Sequence, residues 1–180
     1  IIPMKSATFF EALAAILSPE SLKIADEDKR PYECDGLTMY RVLPKCVALP
    51  ENEAQLAAIV ALCHAHRVPV VARGAGTGLS GGAMPSADGL LLSTAKMMKI
   101  LVVDPLACTA RVQPGVRNLA ISEHVAAHGL YYAPDPSSQI ACTIGGNVAE
   151  NSGGVHCLKY GLTVHNIRKL RVVLMTGDIV

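Results

Sequence analysis

Pro69-Val-Val-Ala72 runs directly into Arg73-Gly-Ala-Gly-Thr-Gly-Leu-Ser-Gly-Gly82, an apolar strand followed by five glycines in ten residues. Glycine costs backbone entropy, and the physical reasons to concentrate it are positive φ angles and close approach of another group to the main chain. At a strand end, successive N–H groups in such a loop can converge on an anion such as a pyrophosphate. Two familiar phosphate loops fail by register. A GxGxxG fingerprint needs glycine at 79, where Leu79 stands, and GxxxxGK[ST] needs a lysine, absent from 74 to 95. This disfavours a nucleotide handled through magnesium and its γ-phosphate. A dinucleotide held by backbone amides stays open, as does an ordinary glycine-rich surface turn.

Ten of the fifteen glycines fall in two clusters, five in 73–82 and five between Gly145 and Gly161, and the second narrows the choice. Tyr132-Ala-Pro-Asp-Pro-Ser-Ser-Gln-Ile-Ala-Cys-Thr-Ile-Gly-Gly-Asn-Val-Ala-Glu-Asn-Ser-Gly-Gly154 combines fixed-φ prolines, small hydroxyls and paired glycines, with Asn147 and Asn151 one helical turn apart. A plain connection of that length is improbable in a compact domain. Uncharged amide, hydroxyl and main-chain donors suit a neutral polar ring system such as a flavin, although each Asn could equally cap a turn.

Outward from these clusters the chain alternates short strands and helices. Cys46–Leu49 and Pro69–Ala72 flank a helix from Asn52 to about His66, with Asn52 and Gln55 at capping-box spacing, and so form one βαβ unit. Further strands are expected at Leu90–Ser93, Lys99–Val103, Thr109–Val112 and Leu170–Met175, the last leading into the turn Gly177-Asp178. A second helix spans Val116–His128 and stops at Gly129. Near the start, Ser6–Leu17 has amphipathic helical spacing with Ser6 as N-cap, and residues 26–45 read as an irregular surface connection.

Composition bounds the partners. The chain has 180 residues, of which 51% are hydrophobic and 17% charged, with a net charge of +1 and no basic block. That excludes a disordered chain, offers nothing to draw nucleic acid or anionic lipid, and implies a surface partly meant to be covered. The six cysteines contain no CxxC pair, so zinc-ribbon and thioredoxin readings fail and free thiols in a reducing cytoplasm are expected. No run is long and apolar enough to read as a membrane span or export signal. His124 and His128 have the i,i+4 spacing of a zinc pair but lack the Glu of HExxH, and His64, His66 and Arg67 suit the C-terminal dipole of their helix.

Arg73–Gly82, Pro134–Gly154 and Lys159-Tyr-Gly-Leu-Thr-Val164, in that order, closely resemble the FAD-binding domain of the vanillyl-alcohol oxidase-like (PCMH-type) flavoproteins, within them the glycolate oxidase D-subunit and D-2-hydroxyacid dehydrogenase group. The resemblance implies an α+β fold of two sheets flanked by helices, with FAD between the sheets. It implies a 1–40 helix and irregular segment, then an FAD-binding domain over 41–180 that is cut before its last segment. The pyrophosphate would lie on Arg73, Gly74, Ala75, Gly76, Thr77, Gly78, Leu79 and Ser80. Flavin and ribityl contacts would come from Pro134, Asp135, Pro136, Ser137, Ser138, Ala141, Cys142, Thr143, Ile144, Gly145, Gly146 and Asn147. Glu150, Asn151, Ser152, Gly153, Gly154, Tyr160, Gly161 and Val164 would complete the nucleotide site, with His156 and His165 nearby. Ser80-Gly-Gly82 is followed by Ala83 where covalent family members place a His, so noncovalent FAD is expected.

The implied reaction is oxidation of a 2-hydroxy acid, glycolate or D-lactate, by hydride transfer to flavin. Electrons would pass to partner subunits, one FAD-binding-like and one iron–sulfur, and thence to membrane quinone, leaving this chain cytoplasmic or membrane-associated through them. The base and the carboxylate-binding group would lie on a separate cap domain, so no catalytic residue and no metal ligand is assigned within 1–180, and these residues alone would be inactive. The alternatives are a D-lactate or D-2-hydroxyglutarate dehydrogenase working without partner subunits, and a noncatalytic nucleotide-binding module.

Overall fold

The computed structural model describes residues 8–180. The first helix, α1 (Phe9–Ile16), starts from Thr8, whose hydroxyl accepts from the Glu11 amide while the Glu11 carboxylate accepts from the Thr8 amide. This reciprocal capping box displaces the expected start at Ser6, which lies outside the described residues. Leu13 and Leu17 are buried against α3 (Glu53–Ala65), after the two-residue β1 (Leu22–Lys23), the single turn α2 (Asp26–Lys29) and β2 (Cys46–Ala48). Asn52 caps α3 through the Gln55 amide, but the Gln55 side chain accepts from Glu51 N–H rather than from the cap itself.

Four strands form the main sheet in the order β1-β2-β4-β3, where β3 is Val70–Arg73 and β4 is Leu90–Ser93. β1 is antiparallel to β2, and β4 lies parallel to both β2 and β3. The expected β2-α3-β3 unit is therefore present in sequence, but its strands do not touch: β4 sits between them, with every residue buried. An all-apolar Leu90-Leu-Leu run suits a strand covered on both faces. One face carries the core of Leu13, Ile59, Val60, Cys63 and Leu90, and the other carries Val47, Leu49 and Leu91.

The second sheet is the antiparallel pair β5 (Ile100–Asp104) and β6 (Thr109–Val112), with a register irregularity between Ile100 and Val102. α4 (Asn118–Val125) continues as a 3₁₀ turn over Ala126–His128 and ends at Gly129, φ 68°. Its Ile121 joins Val116 and Ile144 in a separate core cluster, where Ile144 opens α5 (Ile144–Glu150). A single turn, α6 (Cys157–Tyr160), and a 3₁₀ turn over Thr163–Asn166 follow. The run Leu170–Met175 is not the expected strand. It forms one isolated bridge, Val173 to Ile179, closed by Val172–Val180 and Leu174–Asp178 backbone bonds around Gly177. Among the described residues no named strand lies beside it.

Candidate functional site: a glycine loop backed against a buried helix start

The two glycine clusters meet. Residues 74–82 leave the end of β3 inside the crossover that leads to β4, and α5 stands against them. Gly74 has no room for a side chain, because a Cβ there would overlap Oγ1 of Thr143, the N-cap of α5, whose hydroxyl accepts from Gly146 N–H at 3.4 Å. At the other end of α5, Ser80 donates to Glu150 Oε2 at 3.3 Å, and the same carboxylate lies beside Gly78 and Gly82. Ala75 and Leu79 face outward, while Thr77 and Gly78 turn their carbonyls inward.

Those carbonyls rest on a segment that reads as a surface connection in the sequence. Gly36 lies so close beneath the loop that a Cβ would be 2.6 Å from Gly78 O and 2.8 Å from Thr77 O. Asp35 beside it is 4% exposed, and its Oδ1 accepts from Leu37 N–H at 2.9 Å. Arg73 points down into the same layer. Its Nη1 donates to Cys34 O at 2.6 Å, its guanidinium stacks over the Tyr32 ring at 5.8 Å, and it fills the space where a Gly76 side chain would go. Burial lowers the Arg73 pKa and neighbouring Cys34 and Asp35 oppose that shift, so the group stays charged at neutral pH.

The second segment is strapped to itself. Asn118, 1% exposed at the start of α4, donates from Nδ2 to Pro134 O at 3.0 Å and from its backbone N–H to Cys142 O. Between them Pro136 O accepts from Gln139 N–H, and Ser138 O from both Ala141 and Cys142 N–H, which makes a tight turn with Ser137 exposed on it. Asp135 holds His156, through Oδ2 to Nδ1 at 2.6 Å and through Oδ1 to the backbone N–H at 3.2 Å, with Gly154 backed against it. The His156 hydrogen bond keeps the Asp135 carboxyl below its ordinary range.

Beyond α5 the chain returns. Asn151 adopts a left-handed backbone and its Oδ1 accepts from Val164 N–H at 3.0 Å, while Thr163 donates twice to Ser152 O. Gly153 packs on Leu162 and Cys157, and Gly161 on His165, whose Nδ1 accepts from Leu162 N–H. Gly145 is pinned to Pro114, with a Cβ position 2.9 Å from the proline Cβ, so its lack of a side chain serves packing against the β6–α4 connection.

Two hollows flank this segment. One, about 330 Å³, is lined by Tyr131, Tyr132, Asp135, Gln139, His156 and Tyr160. The Tyr131 hydroxyl bond and Lys159, whose ammonium lies 5.0 Å from the ring, lower the Tyr160 pKa. The other, about 580 Å³, lies along Val148, Asn151, Thr163, Val164 and Ile167, with Arg168 and Lys169 at its edge. Asn147 is 1% exposed and its amide nitrogen has no acceptor among the described residues. Sequence reasoning missed Asn118, Asp35 and Gly36. Only the isolated Gly36 carried a signal, and a lone glycine in a polar run is a weak one.

A family model described as "FAD binding domain" matches residues 44–180. The chain is 65% identical over 153 residues to the glycolate oxidase subunit GlcD of Escherichia coli K12, an alignment covering 85% of the chain and 31% of that protein. It is 36% identical over 165 residues to D-lactate dehydrogenase of Anaerostipes hadrus, covering 91% of the chain and 34% of that protein. A solved structure of alkyldihydroxyacetonephosphate synthase superposes with a TM-score of 0.84 at 26% identity, covering 96% of the chain and 37% of that protein. The chain thus spans about a third of the length of the relatives it matches. On this match, with the two glycine clusters brought into contact, the chain belongs to the FAD-binding-domain family.

Proposed function

We propose that this chain is the FAD-holding part of a flavoprotein that oxidises a 2-hydroxy acid, glycolate or D-lactate, to the 2-oxo acid. The observation that carries the reading is the packing of Gly74 on Thr143, with Glu150 against Gly78 and Gly82, which presents the glycine loop and α5 as one surface. FAD is expected to be held without a covalent bond, its diphosphate on residues 74–80 and its ring along Pro134–Asn147. The residues present fit such a group. Asn147 offers a buried amide donor that lacks an acceptor, as a flavin carbonyl would supply, and the main-chain N–H groups of residues 75–82 make no hydrogen bond among the described residues.

When bound, FAD supplies the two-electron acceptor for hydride from the substrate α-carbon. The chain's own residues bind and orient. Asn118 fixes the start of the Pro134–Cys142 turn, and the Asp135–His156 pair holds that turn against Gly154. The base and the substrate-carboxylate partner lie on a further domain in this reading, so residues 1–180 alone are inactive. The likeness to a glycolate oxidase subunit supports partner subunits; in this reading they are FAD-binding-like and iron–sulfur proteins that accept the electrons, in a cytoplasmic or membrane-associated complex. The D-lactate dehydrogenase likeness supports D-lactate as substrate; the second reading is such a dehydrogenase acting without partner subunits.

The test is the visible spectrum of the intact protein, its turnover of glycolate and of D-lactate, and the partners that co-purify with it. Oxidised-flavin absorption lost on denaturation and filtration supports a noncovalent holoprotein. Intact protein that takes up no FAD overturns the reading, and turnover by the isolated polypeptide without other subunits selects the second.

A further inference from the structure

Arg73 is a half-buried cation that makes no ion pair among the described residues. Its hydrogen bond goes to a neutral carbonyl, Cys34 O, and its flat face to the Tyr32 ring. Asp35 bears on its charge, yet Asp35 Oδ2 is buried with no hydrogen-bond partner among the described residues. The two opposite charges share one layer beneath the glycine loop but do not close on each other. Only the thickness of that loop separates the guanidinium from the ligand side, since it lies directly behind Gly76. A buried charge is tolerated when an opposite charge comes near, and a low-dielectric layer transmits its field well.

We propose that Arg73 is a positioning residue that tunes the glycine loop for a diphosphate by acting through the loop backbone without touching the ligand, with Asp35 setting the strength of its field. This rests on the reading that the loop holds the FAD diphosphate. The guanidinium supplies charge from behind, the amides supply hydrogen bonds in front, and Gly76 is the gap in which the guanidinium fits. A carboxylate partner at ion-pair distance would cancel the field, which is why Asp35 spends one oxygen on the Leu37 amide and keeps the other off the guanidinium.

The experiment measures FAD dissociation constants of the intact protein by flavin fluorescence at low and high salt, for the unaltered protein, Arg73→Met, Arg73→Lys and Asp35→Asn. Arg73→Met is expected to bind FAD about tenfold more weakly, the scale of one charge acting across a short distance, with only part of that loss recovered at high salt because a half-buried charge is poorly screened. Arg73→Lys retains most of the affinity. Asp35→Asn keeps an oxygen for Leu37 and removes the opposing charge, so it tightens FAD at low salt.

Arg73→Lys weakened as much as Arg73→Met assigns a packing role only and overturns the proposal, as does FAD binding unchanged by Arg73→Met. If Arg73→Met does not fold, Asp35→Asn decides: tighter binding at low salt supports the proposal and unchanged or weaker binding overturns it. An unaltered protein that binds riboflavin, which has no diphosphate, as tightly as FAD contradicts the diphosphate reading beneath, a result distinct from either.

Discussion

Gly74 is where one added carbon has the clearest consequence. In Gly74→Ala the new methyl meets Thr143 Oγ1, and either that hydroxyl abandons the Gly146 amide or the loop moves off α5. The expected loss is about 1–3 kcal/mol in urea unfolding, the scale of an overpacked contact, together with a lower flavin content. Adding Thr143→Ala removes the obstruction, so the double variant is expected to be less destabilised than the two single losses summed. Cys46 and Cys63 offer a second test, since burial pushes their thiols up to about 12 and about 11. Both are expected to resist thiol reagents in the native state at neutral pH while Cys108, exposed, reacts. Because the folded-state values are raised, this contribution to stability is whole below the ordinary thiol value of 9.0 and declines as pH climbs from there toward 12. A stability profile flat across that alkaline range would contradict it.

At the scale of elements, Asn52→Ala removes the side-chain acceptor for the Gln55 amide at the start of α3 and is expected to cost about 1 kcal/mol by chemical denaturation. Caps and turns of this kind were largely legible in the sequence, because their chemistry is local. Thr109–Val112 and Leu90–Ser93 form the strands their residues imply, and Gly129 ends α4 and its 3₁₀ turn as glycine at that position does. Thr8 was equally readable from Glu11 three residues on, yet Ser6 offers a hydroxyl as well, and the reciprocal bond decided between them. What depends on a distant partner was not legible. Leu170–Met175 has a strand's apolarity and no named strand beside it among the described residues, and nothing near Cys46 or Val70 announces that Leu90 will lie between them. The site divides the same way. Its glycine clusters are visible as composition, whereas Asp35 and Asn118 matter only because the fold brings residues 32–37 beneath the loop and α4 against Pro134.

At the scale of the molecule, the apolar composition has a place. Leu101 and Val102 on β5, the nearly fully exposed Leu106 at its turn, and Val172, Leu174 and Met175 further on are large apolar side chains left uncovered. Produced by itself, the 180-residue chain is expected to self-associate as concentration rises, measured by sedimentation velocity, and Leu106→Ser is expected to reduce the effect. Monodisperse monomer at high concentration would contradict this. The strand order has a consequence in time as well as in space. β4 is the third of the three parallel strands to be synthesised and occupies the slot between the other two, so β2 and β3 remain unbonded to each other until residues 90–93 arrive. The tether that delivers β4 to that slot is the stretch 74–89, the same stretch that contains the glycine loop. Closing it is a nonlocal, entropically costly event of the kind that slows folding. Sheet completion and closure of the loop are then one kinetic step, and the loop meets α5, which is synthesised later, only on a main sheet that has already closed.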